Sequence, residues 1–530
     1  MNLYLKKFLA SQVNYWLSIG LLSIITLLLI FYPIYRINFS GIFINYNEAW
    51  NAYHLTRVNS GELLYNWQQQ WTPVNYPPFS FYIVGGLSKL IHNPILAGRY
   101  LSLLSLSLII IMVVSIVNIL IKNLDYAVFS GIFCLSLFTT VAQVYIGMND
   151  PQLLGHLPII LALLIYLRPI KIRYHLFIVA ALMAVGIFIK HNLIALPLAI
   201  TIELFLISRP DFFKWLIYLG LITSGFILIS INISGSNFIH EVMLTGSRVY
   251  SIPQIVNSVD LLLTKLFIPF ILAIIGITYA ARHLQLRIAA LYLVISISTG
   301  IYFSGGLGTN INIYFDTFIS LSIVLGVILS YLDSKSKFAK VFPLVISLSI
   351  LISTRIMIID SIHQIIHLPD LAKQEQINRI DASFLAQQDG SVLCIHNSIF
   401  ICYLSGKSFE YDSFNGGQMI ATGKNNKNSF LEKITTGYFR TILLDNDYLN
   451  LGLNESNLNI EKSPIQKARI MLIKYITDGL EKKIGKHSSA QFKSLDLLRI
   501  NILQAINEHY TISHKSINGT FYIYKISNIT

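Results

Sequence analysis

The chain has 530 residues, 54% of them hydrophobic and only 12% charged, with a mean hydropathy of +0.61. A soluble chain carries roughly a quarter charged residues, so this one cannot cover its surface with water-compatible groups. That excludes an ordinary cytosolic enzyme, a disordered chain and a disulfide scaffold, and three cysteines exclude a cysteine-rich metal framework. In a soluble protein a net charge of +13 would suggest nucleic acid. In a polytopic membrane protein the placement of that charge matters more than its sum, and no nucleic-acid partner is expected.

Apolar runs long enough to cross about 30 Å of hydrocarbon follow one another along the first two thirds of the sequence. They are Trp16–Tyr35, Ala97–Ile121, Tyr126–Tyr145, Gln152–Leu167, Tyr174–Ile189, Leu193–Ser208, Trp215–Ser234, Leu261–Ala281, Ile288–Phe303, Ile311–Leu332 and Val341–Ile359. Several are only about 16 residues long, which implies tilt or burial within the bundle. The first is too long for a signal-peptide core and lacks a small-residue cleavage site. Basic residues set the orientation: Lys6/Lys7, Lys122, Arg168/Lys171/Arg173, Arg209/Lys214, Arg282/Arg287 and Lys335/Lys337/Lys340. All fall on one side if Pro78–Ile91 dips into the membrane without crossing, and the positive-inside rule makes that side cytoplasmic.

The expected fold is therefore mainly α, a bundle of about eleven spans with the N-terminus inside and the C-terminus outside. Residues 1–360 would form the membrane module, with an outer loop over 37–77. Residues 361–530 would form a soluble extracytoplasmic α/β domain. In that tail Ser391–Ile395 and Thr441–Leu444 read as strands, and Tyr510–Ile526 as a hairpin turning at Asn518-Gly519. Cys394 and Cys402 either pair in an oxidising compartment or remain two buried thiols.

Four outer segments carry candidate chemistry. The first loop is dense in Trp, Tyr, Asn and Gln, the residues that stack on and hydrogen-bond polar ligands at a membrane interface. A helix from Glu48 to Val58 would bring Tyr53, His54 and Arg57 together, although an interfacial helix with an acid in its first turn explains Glu48 equally well. Next, Asn149-Asp150-Pro151 places a carboxylate before a helix start, where capping is a complete explanation. Two carboxylates opening onto one face are also what a general base and its partner would need. Cations on that same face, against the positive-inside bias, are Arg57, Arg99, Lys190, Arg248 and Arg355. Held at headgroup level they suit a lipid phosphate, Arg99 best because a guanidinium can bind phosphate through two N–H groups, with snorkelling as the alternative. Last, a glycine-rich turn leads into Asn312 and Asp316, one helical turn apart.

Together these pieces resemble the GT-C superfamily of polytopic glycosyltransferases that take sugars from polyprenyl phosphates. The nearest likeness is to the bacterial branch related to protein O-mannosyltransferases and the aminoarabinose transferase of lipid A. The resemblance is carried by Asn47-Glu48, Gly61…Tyr65, Tyr76-Pro77-Pro78, Gly98-Arg99, Asn149-Asp150-Pro151, Lys190-His191 and Gly308…Asn312…Tyr314…Asp316. It implies Glu48 as the base that activates an acceptor hydroxyl, Asp150 as its support, and inversion at the sugar. Arg99, Lys190 and Arg248 would bind the donor phosphate, and His54, Arg57, Tyr76, His191, Asn312 and Asp316 the substrates. Relatives often have Asp-Glu where this chain has Asn47-Glu48, and Lys-Gln where it has Lys190-His191.

The implied partners are a polyprenyl-phosphate-linked sugar, a lipid, glycan or protein acceptor, and the bilayer. The setting would be a bacterial cytoplasmic membrane. No cofactor is required; a divalent metal is left open, with His54 or His156 as ligands. The alternatives are a flippase for lipid-linked sugars, which would show internal symmetry and broken helices, and a polysaccharide ligase or polymerase.

Overall fold

The structure, a computed structural model, describes residues 12–66, 71–168, 174–244, 248–451, 486–517 and 519–526. Lys6, Lys7, Lys171, Arg173 and Asn518, used in the sequence reading, lie outside the described residues. Each of the eleven apolar runs is helical. Eight helices are long and apolar enough to cross a membrane, while Phe79–Ile91, Pro151–Leu167, His175–Ile189 and Ala195–Ile207 are shorter.

Local chemistry sets where these helices begin. Asn93 before Pro94, Asp150 before Pro151, Ser208 before Arg209-Pro210 and Ser251 before Ile252-Pro253 each accept a backbone N–H of the following turn. A capping oxygen and an early proline are how a helix start is written in sequence. Hydropathy misses the polar first turns that follow: the run expected from Leu261 is a helix from Ile252, and the one expected from Trp215 starts at Arg209.

The helices differ in depth. The hydrophobic window within Ile311–Lys335 is 89% buried and that of Arg209–Ser234 only 6%, so the former is the axis of the bundle and the latter faces outward. Around the axis Phe315 and Phe318 meet the ring of Phe138 edge-on, at 4.8 and 5.8 Å, and Tyr145 packs on Phe315 at 5.4 Å.

The tail builds a four-stranded sheet in the order β1-β2-β4-β3. β1 (Ser391–Ile395) is parallel to β2 (Phe439–Asp445); β4 (Phe521–Ile526) is antiparallel both to β2 and to β3 (Tyr510–Lys515). Cys394 and Cys402 are joined as a disulfide. The tail is tied to the first outer loop. Glu375 accepts from the Gly41 N–H at 2.8 Å, and the Asn378 amide donates to the Gly41 carbonyl at 2.8 Å.

Candidate active site

The turns that hydropathy assigns to one face meet around an open cavity of about 280 Å³. The first-loop helix (Tyr46–Asn59) contributes Tyr46, Asn47 and Trp50, and the end of that loop Asn75 and Tyr76. Lys190, His191 and Asn192 come from the tight turn between two short helices. Arg248, the stretch from Gly306 to Ile313, and tail residues Phe414 and Asn415 complete the wall.

Glu48 and Arg99 are not on that wall. Asn45 caps the first-loop helix and sets Glu48 in its first turn. Gly98 brings the next helix close to the Asn149 side chain, which occupies the space a Cβ would need. The result is a knot. Arg99 donates from Nε and Nη2 to the two Glu48 oxygens at 2.7 and 2.6 Å. Its remaining N–H groups reach the carbonyls of Ile37, Phe39 and Ile42 at 3.2, 2.9 and 2.8 Å. Glu48 also accepts from the Asn149 N–H at 3.2 Å, and both side chains are fully buried.

The structure places neither residue where its expected role needs it. An arginine has five N–H donors, and here all are spent on protein oxygens, so Arg99 has none for a phosphate. Glu48 is a buried carboxylate held as one half of an ion pair and out of reach of a substrate in the cavity. Deep burial is tolerable for each charge only because the other is there.

Asp150 behaves differently. It caps the Pro151–Leu167 helix by accepting from the Gln152 N–H at 2.8 Å, while its Oδ2 lies 3.7 Å from Lys190 Nζ. Asp150 is itself off the cavity wall, but Lys190 is on it. That ammonium sits 3.5 Å from the centroid of the Tyr76 ring, a cation–π contact. Among the described residues it has no hydrogen-bond acceptor, and neither the Tyr145 hydroxyl nor His191 Nδ1 has a partner. Arg248 lies 5.4 Å from the Phe414 ring, and burial lowers its pKa. Burial, then Lys190 and Arg248, push the His191 imidazole down to about 3, leaving it neutral at physiological pH.

The structure also separates other residues that spacing had grouped. Asn312 faces the cavity, whereas Asp316 points into the bundle, accepting from the Tyr292 hydroxyl at 2.5 Å with His156 Nε2 at 3.5 Å. The expected shared face fails because residues 311–314 form a tight 3-10 turn before the α-helix begins. His54 lies behind Trp50, enclosed by the rings of Trp50, Phe81 and Phe409, with Nδ1 3.5 Å from Arg57. Arg57 turns away to Glu62 and the Leu63 carbonyl, lining a second hollow against the tail. Neither His54 nor His156 is placed to hold a metal in the main cavity. Among the described residues, no group of three or more His, Cys, Asp or Glu comes together.

A family described as dolichyl-phosphate-mannose-protein mannosyltransferase matches residues 75–234. No curated protein is similar enough in sequence to match. Among solved structures, ArnT from Cupriavidus metallidurans is similar with a TM-score of 0.53 at 12% identity, over 84% of this chain and 96% of that one. The same values hold for ArnT bound to undecaprenyl phosphate. The oligosaccharyltransferase AglB from Archaeoglobus fulgidus, in complex with an inhibitory peptide and a dolichol-phosphate, gives 0.52 at 11% identity, over 98% of this chain and 75% of that one.

Residues 75–234 thus match a mannosyltransferase family, and the chain shares its fold with ArnT and AglB. The matched segment 75–234 carries Tyr76, Arg99, Asp150, Lys190 and His191. It contains neither Glu48, Arg248 nor the tail, so the cavity is completed from outside the matched segment. Sequence reasoning missed Asn47, Trp50, Asn75, Phe414 and Asn415 as cavity residues. The aromatic and amide density of the first loop signals the first three; the tail pair lacks such a signal.

Proposed function

We propose that the cavity binds a polyprenyl-phosphate sugar and passes the sugar, with inversion, to an acceptor hydroxyl on the extracytoplasmic face of a bacterial cytoplasmic membrane. The observation that carries this reading is the pair of cations on the cavity wall: Lys190, without a hydrogen-bond acceptor among the described residues, and Arg248. They are what a lipid phosphate needs, and they would stabilise the charge that grows on it as it leaves. Asp150 aims Lys190, and the Tyr76 ring supports it.

In the transfer the acceptor oxygen bonds to the anomeric carbon while the bond from that carbon to the phosphate oxygen breaks. The acceptor proton goes to the neutral His191 imidazole, a base weakened chiefly by burial and then by Lys190 and Arg248, the second effect being the one that the phosphate charge opposes. The ArnT structure with undecaprenyl phosphate and the AglB complex with a dolichol-phosphate support the donor class. The Cys394–Cys402 pair supports an extracytoplasmic tail, and labelling of an Asn428→Cys variant by a membrane-impermeant thiol reagent in intact cells tests it.

The decisive assay incubates detergent-purified protein with a synthetic polyprenyl-phosphate hexose and candidate acceptors, and measures polyprenyl phosphate released. Release is expected to fall about a hundredfold or more in Lys190→Ala or Arg248→Ala. Wild-type rates in both variants would remove the assignment.

A further inference from the structure

The polar groups of the cavity wall divide into spent and unspent. Trp50 Nε1 and the Tyr46 hydroxyl donate to Asp412 of the tail, each at 2.8 Å, and Asn415 Nδ2 donates to the same carboxylate at 2.7 Å. The Tyr250 hydroxyl donates to the Tyr302 carbonyl at 2.9 Å. Tyr145 also lines the cavity, yet its hydroxyl is buried and has no partner among the described residues. An unmatched buried hydroxyl costs stability, so such a group in a folded chain calls for a role.

The fold fixes where that hydroxyl stands. Tyr145 closes the 3-10 turn Gln143–Tyr145, and its ring packs edge-on against Phe315 of the bundle axis at 5.4 Å. Gly147, at a φ of 62°, lets the chain reverse toward Asp150. The turn is tied to the Glu48–Arg99 knot: the Asn149 N–H donates to Glu48 at 3.2 Å, and the Asn51 amide donates to the Asn149 carbonyl at 2.9 Å. The knot thus holds in place the segment that presents Tyr145 and Asp150. Asp150 and the Tyr76 ring flank Lys190 at 3.7 and 3.5 Å. The same two residues act on the Tyr145 hydroxyl. Burial, then Asp150 and Tyr76, push its pKa well above the ordinary 10, so it is a donor that keeps its proton.

We propose that Tyr145 is a further catalytic residue, its hydroxyl donating, beside Lys190 and Arg248, to the phosphate oxygen that leaves the sugar. This rests on the lipid-phosphate reading above and deepens it. The donor phosphodiester carries one negative charge. When the bond from the anomeric carbon to the phosphate oxygen breaks, its electron pair stays on that oxygen, and the released monoester carries two. The acceptor proton goes to His191, as above, and Tyr145 keeps its own. A hydrogen bond strengthens as its acceptor oxygen gains charge. The Tyr145 bond is therefore stronger in the transition state than in the bound donor, and it lowers the barrier.

The test uses the detergent-purified full chain with a synthetic polyprenyl-phosphate hexose and candidate acceptors. Tyr145→Phe keeps the ring and removes only the hydroxyl. Release of polyprenyl phosphate at saturating donor is expected to fall about a hundredfold. The half-saturating donor concentration should change by less than about threefold. In displacement of a fluorescent polyprenyl phosphate, affinity for the bare phosphate should fall about tenfold and affinity for the hexose lipid less. Without lipid the thermal transition should hold or rise, since the lost hydroxyl has no partner among the described residues. In a Lys190→Ala background the same substitution should lower release further, because the two groups donate separately.

A rate equal to wild type in Tyr145→Phe would overturn the proposal, as would a higher half-saturating concentration at an unchanged maximal rate. A fall in the thermal transition without lipid would also overturn it, by showing that the hydroxyl is bonded within the chain. No further loss in the Lys190→Ala background would make Tyr145 a positioning residue that acts through Lys190, and not a donor to the phosphate. If the wild type neither binds nor releases polyprenyl phosphate, the lipid-phosphate reading itself fails. That outcome is distinct from the others.

Discussion

Two cation–carboxylate pairs lie at the same end of the bundle and have opposite fates. In the Glu48–Arg99 knot every donor and acceptor is matched at hydrogen-bonding distance and no water reaches either group. In the Asp150–Lys190 pair the ions stand 3.7 Å apart, and the Lys190 ammonium, buried at the edge of the cavity, has no hydrogen-bond acceptor among the described residues. The comparison teaches that a charge near a membrane face is a candidate ligand group only if the fold leaves its hydrogen bonds unspent. The first pair is structural and the second is available.

The sharpest way to break this comparison is to remove one half of the knot. Arg99→Ala leaves a carboxylate buried without its counter-ion, so a destabilisation of about 3–5 kcal/mol is expected, read as a fall in the thermal transition in detergent. Replacing both partners, Glu48→Gln with Arg99→Met, should recover much of that loss. A donor-binding role for Arg99 predicts instead that stability holds while activity vanishes.

The cavity pair should show the reverse. Lys190→Ala is expected to lower release of polyprenyl phosphate by about 10²–10³-fold, equivalent to roughly 3–4 kcal/mol of transition-state stabilisation, with a smaller fall in the thermal transition than Arg99→Ala, because the looser Asp150 keeps its bond from the Gln152 N–H.

Gly308 tests how tightly the tail seats. Its φ of 75° and the Phe414 ring at its Cβ position make Gly308→Ala cost about 1–3 kcal/mol, measured by thermal unfolding. An unchanged transition there would mean that the tail does not press on the glycine-rich turn in solution.

The smallest effect concerns His191. Its imidazole is held at about 3 in the folded chain against an ordinary 6.5, so below pH 6.5 the unfolded chain binds a proton that the folded chain refuses. Its contribution to stability is full above pH 6.5 and is lost as the pH falls toward 3. His191→Gln should therefore flatten the acid limb of a stability–pH curve measured without lipid. A curve identical to wild type would show that the ring is not buried among cations.

Much of this architecture is legible one segment at a time. Hydropathy finds the apolar helices because transfer of a run of side chains into hydrocarbon is a local sum. The Asp150-Pro151 helix start is equally local, since a cap needs only the following two or three residues. The strands at Ser391–Ile395 and Thr441–Leu444 are recognisable from their own apolar pattern, and both lie in the tail sheet. Pairing is not local. Glu48 and Arg99 are 51 positions apart, Trp50 and Asp412 362. Neither spacing nor composition says that one arginine will be consumed by a carboxylate and four carbonyls while a buried lysine on the same face is left over an aromatic ring beside a carboxylate.

By itself the sequence determined that this is a helical membrane protein with a small mixed α/β tail, and which of its turns gather at one end, because those outcomes follow from free energies summed over neighbouring residues. Only the tertiary structure decided which charged groups at that end are spent and which are free, and that the tail supplies part of the wall. Hydrogen bonds between distant residues form only when the whole bundle has closed, and a buried ion is settled by whichever partner the closed fold brings within about 3 Å.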